Sequence, residues 1–110
     1  MKILVTGATG FLGRHLVERL HHDGFQIRCT VRDPRKAAHL IQYNDIEIVR
    51  GDLSNPQTAL VGANGVDAIV HAAAHLGGWD KREGFIRYNL ESTRNLLDAA
   101  VQYGVKRFVT

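Results

Sequence analysis

Gly7, Gly10 and Gly13 stand three apart, directly after the apolar run Ile3-Leu4-Val5 and before Phe11 to His22, a segment with apolar residues at 12, 16, 17 and 20. A strand, a tight turn and a helix start in that order aim bare backbone amides and the positive end of a helix dipole at one point. Phosphate suits such a point, and a pyrophosphate bridge of a dinucleotide suits the spacing. Gly7 lets the chain turn without a Cβ clash, Gly10 lets backbone approach phosphate oxygens, and Gly13 lets the helix pack tightly on the strand. The spacing is three and three, not the two and three of the commonest fingerprint. An ordinary glycine-rich strand-to-helix loop is the plain alternative.

Other chemistry is sparse. The lone cysteine, Cys29, falls inside a predicted strand and reads as a small buried hydrophobe. No Cys/His spacing resembles a metal site, so none is assigned. His21 and His22 fall at a predicted helix end. The chain has 110 residues, 45% of them hydrophobic, which suffices for one domain with a core and not for two. A net charge of +3 and a pI of about 9.4 are mildly basic. The densest group is Arg28, Arg32, Arg35 and Lys36, which reads as a local anion site. A nucleic-acid surface calls for a longer basic stripe, so no nucleic-acid partner is expected. No apolar run is long enough to span a bilayer and no apolar leader precedes the first strand, so a cytoplasmic protein is expected.

The pattern predicts strands at 2–6, 26–31, 46–49, 67–71 and 106–110. Helices are predicted at 11–22, from Asp33-Pro34 to about Tyr43, from a Ser54-Asn55-Pro56 cap to about Val61, and over about Arg82 to Tyr103, with Gly104 as the stop. Residues 72–80 read as a loop. Strands alternating with helices demand right-handed crossovers and a parallel sheet. The expected order is 3-2-1-4-5, with the ligand crevice at the carboxyl ends of strands 1 and 4.

With these blocks in place the chain resembles the extended short-chain dehydrogenase/reductase superfamily, in its NAD(P)-dependent epimerase/dehydratase and dihydroflavonol-reductase-like groups. The residues that carry the resemblance are Thr6-Gly7-Ala8-Thr9-Gly10-Phe11-Leu12-Gly13, Val31-Arg32-Asp33, Gly51-Asp52-Leu53, His71-Ala72-Ala73-Ala74, and Tyr88-Asn89-Leu90 through Thr93-Arg94-Asn95-Leu96-Leu97-Asp98-Ala99-Ala100. They cover nearly the whole chain in order. The resemblance implies a Rossmann-like, doubly wound α/β fold over residues 1–110, and a dinucleotide cofactor at Gly7, Thr9, Gly10, Phe11, Leu12 and Gly13. At the end of strand 2 it implies a ribose contact: an arginine, here Arg32, pairs with the 2′-phosphate of NADP, whereas a carboxylate bonds the 2′-hydroxyl of NAD. NADP is expected, with NAD the alternative, because Asp33 is one position on. Asp52 is expected at the adenine amino group with Leu53 lining the base; a cap on the short helix near Ser54 is the other reading of Asp52. Ala72, Ala73 and Ala74 let backbone pass under ribose and pyrophosphate. His71 is expected to be structural, and His75, Leu76 and Trp79 could border a substrate. Asn89 is expected to tie strand 4 to the long helix, or else to face solvent.

Enzymes of this resemblance use a Tyr-x-x-x-Lys pair with a nearby Ser or Thr for proton transfer. Tyr43 is followed four on by Glu47, Tyr88 by Ser92, and Tyr103 by Arg107, so the pair is missing and no catalytic residue is assigned. The chain looks like the amino-terminal part of a longer reductase or epimerase, truncated after strand 5. It has the cofactor cradle but neither the proton-transfer groups nor the lobe for a small-molecule substrate. A homodimer through the helix at 82–103 is expected, with Phe85, Tyr88 and other apolar positions facing outward. A non-catalytic nucleotide-binding module, or a folding fragment without activity, are the alternative functions.

Overall fold

Alternation decides the layers. In β1 (Lys2–Thr6), Ile3 and Val5 point to one side and Leu4 to the other, and all three are buried. The computed structural model describes residues 1–72 and 82–110. It places β1 at the centre of a five-stranded parallel sheet with β2 (Gln26–Val31), β3 (Glu47–Arg50), β4 (Ala68–His71) and β5 (Arg107–Val109). The order is β3-β2-β1-β4-β5, as the pattern predicts. On one face, Ile3, Val5, Ile27, Cys29 and Val31 pack with Val17 of α1 (Phe11–His22) and with Ala37 and Leu40 of a 3-10 helix (Pro34–Leu40). On the other, Leu4 and Ile69 pack with Ala59 and Ala63 of α2 (Pro56–Ala63) and with Leu96, Ala99 and Ala100 of α3 (Arg82–Tyr103). Leu4 and Ile69 are both fully buried, each contributing about 1.5–3 kcal/mol.

The helix expected after Asp33 is of the 3-10 type and ends at Leu40, short of Tyr43. Ala37, Leu40 and Tyr43, three apart, face the core, and a 3-10 helix has three residues per turn. Three-residue hydrogen bonds continue past it, Ile41 to Ala38 and Tyr43 to Leu40. The cap on α2 is Asn55, whose Oδ1 accepts from the Gln57 amide at 3.0 Å. Strand ends shift by a residue or so from the predicted ones.

The basic group of the sequence is divided by the fold. Arg28 sits mid-strand, opposite Leu4 and Glu47, not at the sheet rim. Its guanidinium donates to the carbonyls of Val61, Gly62 and Asn64 at the end of α2, at 3.3, 2.8 and 2.6 Å, and to Glu47 at 2.9 Å. Arg28 therefore satisfies the orphan carbonyls of a helix and is not part of an anion site. Lys2 completes the network through Glu47, at 2.6 Å; its two cations hold the Glu47 carboxyl below its ordinary value. Cys29 is buried as expected, and burial pushes its thiol up to about 12, so it carries no thiolate.

His71 locks three elements together. Its Nδ1 lies 2.6 Å from Thr6 Oγ1 of β1, and its Nε2 lies 3.1 Å from Thr93 Oγ1 of α3. A neutral imidazole offers one donor and one acceptor, and the two hydroxyls turn to match. Burial lowers the His71 pKa from its ordinary 6.5. The folded protein thus takes up the proton later than the unfolded chain, and stability falls as pH drops below about 6.5. Asp23, Asp33, Asp45 and Glu47, held low mainly by hydrogen bonds from cationic neighbours, act only below their ordinary 3.8–4.5, a separate window.

Two outcomes are expected from urea denaturation. Arg28→Ala lowers stability by about 1.5–3 kcal/mol, the worth of hydrogen bonds from a charged donor; an unchanged midpoint refutes the capping role. The wild-type midpoint is lower at pH 5 than at pH 7.5, and His71→Gln shrinks that difference; equal wild-type midpoints at the two pH values refute the assignment to His71.

Candidate functional site

The carboxyl ends of β1 and β4 lie side by side, with Thr6 opposite His71 and the Ala72 amide on the Thr6 carbonyl at 3.3 Å. Beyond Thr6 the chain leaves toward α1, which covers one face of the sheet; α3 covers the other. The strand order reverses here, so the flanking connections diverge and open a crevice at the rim.

The glycine turn forms one wall. Gly7 has a φ of 73°, open to glycine at little cost. A Cβ on Gly13 would fall 1.8 Å from the Gly7 carbonyl oxygen and 2.9 Å from the Ala8 Cα, so α1 rests directly on the turn. Gly10 differs. It takes an ordinary extended conformation, and a Cβ there would meet only the Gly7 oxygen, at 3.5 Å, an ordinary contact. Packing therefore requires glycine at 13 and not at 10. Gly10 occupies the N-cap of α1, no side chain caps that helix, and no acidic residue stands in its first turn. Its first amides are left to a ligand or to water. Thr9 is half-buried in the turn, and Phe11 and Leu12 are exposed at the helix start. His39 braces the wall from the 3-10 helix, with Nε2 3.0 Å from the Ala8 carbonyl.

The second wall stands where β2 and β3 end. The Gly51 amide bonds the Val31 carbonyl at 3.0 Å, which sets Arg32 beside Gly51 and Asp52. Arg32 is exposed, with its guanidinium carbon 5.5 Å from the ring centroid of Tyr88. Asp33 is committed elsewhere. Its carboxylate accepts from the Arg35 amide and from Nε and Nη2 of Arg35, each at 3.1 Å, which holds its pKa low. Of the two neighbours that compete for a ribose, Arg32 carries the open charge.

Asp52 does not cap α2. Its Oδ1 accepts from the amide and the hydroxyl of Ser54, both at 2.9 Å, in the turn before Asn55. Leu53 is 3% exposed with its side chain in the α2/α3 core, so only its main chain is left for a ligand. That main chain is fixed by Asn95 of α3, whose Nδ2 donates to the carbonyls of Leu53 and Ser54 at 2.9 and 3.1 Å. Sequence reading missed Asn95 and Thr93 as positioning residues; both lie on the buried stripe of α3, which was the available signal. Asn89 is half-buried and engaged in polar contact, not solvent-facing. Tyr88 is half-buried against the rim and does not face outward as expected. Burial, followed by the Asp52 charge, raises its pKa. Ala72 is half-buried at the crevice floor, while Ala73, Ala74, His75, Leu76 and Trp79 lie outside the described residues. Among the described residues, no group of His, Cys, Asp and Glu could hold a metal, and no helix is long and apolar enough to cross a membrane.

The model of the NAD dependent epimerase/dehydratase family matches residues 3–110. The 2-alkyl-3-oxoalkanoate reductase of Stenotrophomonas maltophilia is 36% identical over 109 residues, covering 99% of this chain and 32% of the relative. The photosystem II assembly factor Ycf39 of Guillardia theta is 39% identical over 110 residues, covering 99% of this chain and 34% of the relative. A short-chain dehydrogenase/reductase superfamily protein from Agrobacterium tumefaciens, solved with bound NAD, superposes with a TM-score of 0.80 at 34% identity, covering 98% of this chain and 31% of that one. The chain spans about a third of the length of the curated relatives it matches. A glycine turn under an uncapped helix, at the reversal point of a 3-2-1-4-5 sheet, and a family match along nearly the whole sequence agree: this chain belongs to the NAD-dependent epimerase/dehydratase family.

Proposed function

We propose that residues 1–110 form a single dinucleotide-binding domain of a cytoplasmic oxidoreductase or epimerase, with NADP the favoured cofactor and NAD the alternative. The observation that carries this reading is Gly10. The fold tolerates a side chain there, and the helix behind it is left without a cap, so the missing Cβ is explained by something approaching from outside. Gly7, Thr9, Gly10, Phe11, Leu12 and Gly13 would face the pyrophosphate. Asp52 and the main chain of Leu53 would meet the adenine, Arg32 the ribose phosphate, and Ala72 to Ala74 with Asn89 the approach to the nicotinamide half. The preference for NADP rests on Arg32 being open while Asp33 is paired with Arg35.

The bound cofactor would supply hydride exchange with a carbonyl or alcohol. This chain has no Tyr-x-x-x-Lys pair to move the accompanying proton. By itself it is a binding domain without enzymatic turnover, and a small-molecule substrate would be held by residues outside these 110. A second reading, a nucleotide-binding module without catalysis, is favoured by the similarity to a protein named as an assembly factor. A reading frame that continues through Tyr-x-x-x-Lys removes that second reading.

On α3, Ile86, Leu90, Leu97 and Val101 recur at helical spacing and are exposed. This stripe is proposed as a homodimer contact. Light scattering should give twice the chain mass, and Leu97→Glu with Val101→Glu should return the monomer; a wild-type monomer at high concentration refutes it.

Calorimetric titration tests the cofactor site. Gly10→Ala should keep the fold and lose about 1–3 kcal/mol of NADP binding, the cost of a methyl forced into occupied space. Gly13→Ala should instead cost about 3 kcal/mol of stability, through backbone overlap. Arg32→Ala should weaken NADP and leave NAD unchanged. Unaltered NADP affinity in Gly10→Ala and Arg32→Ala sinks the proposal.

A further inference from the structure

Tyr88 stands between the two side chains that would read the adenosine half of a cofactor, although it lies more than thirty residues from either in sequence. Its ring carries the Arg32 guanidinium at 5.5 Å from the centroid. Its hydroxyl lies near enough to the Asp52 carboxylate to feel its charge, and that carboxylate's Oδ1 is already fixed by Ser54. Among the described residues, no carboxylate forms a salt bridge with Arg32, so the aromatic face is what holds this exposed side chain.

We infer that Tyr88 is a specificity-determining positioning residue that orients Arg32 for a 2′-phosphate and Asp52 for an adenine amino group. The inference rests on the proposed NADP site. Its physical basis is the geometry of a guanidinium. A ring against one side of the guanidinium leaves the N–H donors turned away from the ring free. Those donors are what a phosphate takes, in a bidentate pair. A long side chain held in one place before binding loses less rotamer freedom when the phosphate arrives, so the stack favours the phosphorylated cofactor over the unphosphorylated one. The hydroxyl acts on the other member. The hydroxyl beside Asp52 helps place a carboxylate for an adenine that NAD and NADP share, so it changes affinity for both cofactors together. Ring and hydroxyl therefore have separable effects: the ring sets the ratio of the two affinities and the hydroxyl sets their common level.

The test is calorimetric titration of the 110-residue chain with NADP and with NAD, for wild type, Arg32→Ala, Tyr88→Leu and Tyr88→Phe, with circular dichroism as the check on folding. Tyr88→Leu should lower the NADP/NAD preference by about two- to fivefold, the worth of an exposed cation–π contact. Tyr88→Phe should keep the preference and weaken both cofactors equally. A folded Tyr88→Leu with wild-type preference overturns the inference while Arg32→Ala still abolishes the preference. If Tyr88→Leu does not fold, Tyr88→Phe decides: loss of preference there assigns the effect to the hydroxyl and overturns the role of the ring. Arg32→Ala with unchanged NADP affinity, or a wild type that binds neither dinucleotide, overturns the underlying site and this inference with it.

Discussion

The approach of α1 onto the turn that precedes it sets the geometry of the rim. The Gly13 Cα sits so near the Gly7 carbonyl that a methyl group would overlap backbone. Because of that contact, the helix axis begins at the carboxyl edge of β1 and its first amides converge on the crevice. A side chain at 13 would push the helix away, and the amides would lose their common focus. His39 on the Ala8 carbonyl and the bond from the Gly10 amide to the Gly7 carbonyl hold the loop in the same place from either side.

Charge is distributed over this frame by paired groups, and the pairings decide what remains open. Arg28, one of four clustered cations in the sequence, serves the end of α2 and Glu47. Arg35 is paired with Asp33, which removes both a cation and a carboxylate from the competition at the rim. Arg32 is left on the face of Tyr88, and Asp52 is held by Ser54 in a turn that Asn95 clamps from α3. The Arg32 side of the crevice is thus assembled from the end of β2, the β3–α2 turn and α3, three elements far apart in the chain. His71 ties α3 to β1 and β4, so the helix that carries Tyr88 and Asn95 is set by the same strands that carry the glycine turn.

The architecture was legible because the relevant signals are local and periodic. Continuous apolar strands, an amphipathic stripe and glycines at the turn specify the parallel sheet and the first crossover without knowledge of distant partners. The helix opened by Asp33-Pro34 is legible from its cap and proline, but its three-residue period is decided by the packing of Ala37, Leu40 and Tyr43 on the core. The family resemblance implies Leu53 lining the base, whereas its side chain fills the α2/α3 core.

What the sequence determined on its own was the order of elements, the crevice position and the need for glycine at the turn, since each follows from backbone sterics over a few residues. The tertiary structure alone decided which charges are spent and which are free. Arg28 lies within β2 and Arg32 just past its end, four residues on, yet one caps a helix and the other lies open on an aromatic ring. Tyr88 read as an outward apolar position and instead faces the rim. Coulombic and aromatic contacts depend on separations of a few ångströms between residues distant in the chain, and local pattern carries no measure of those distances.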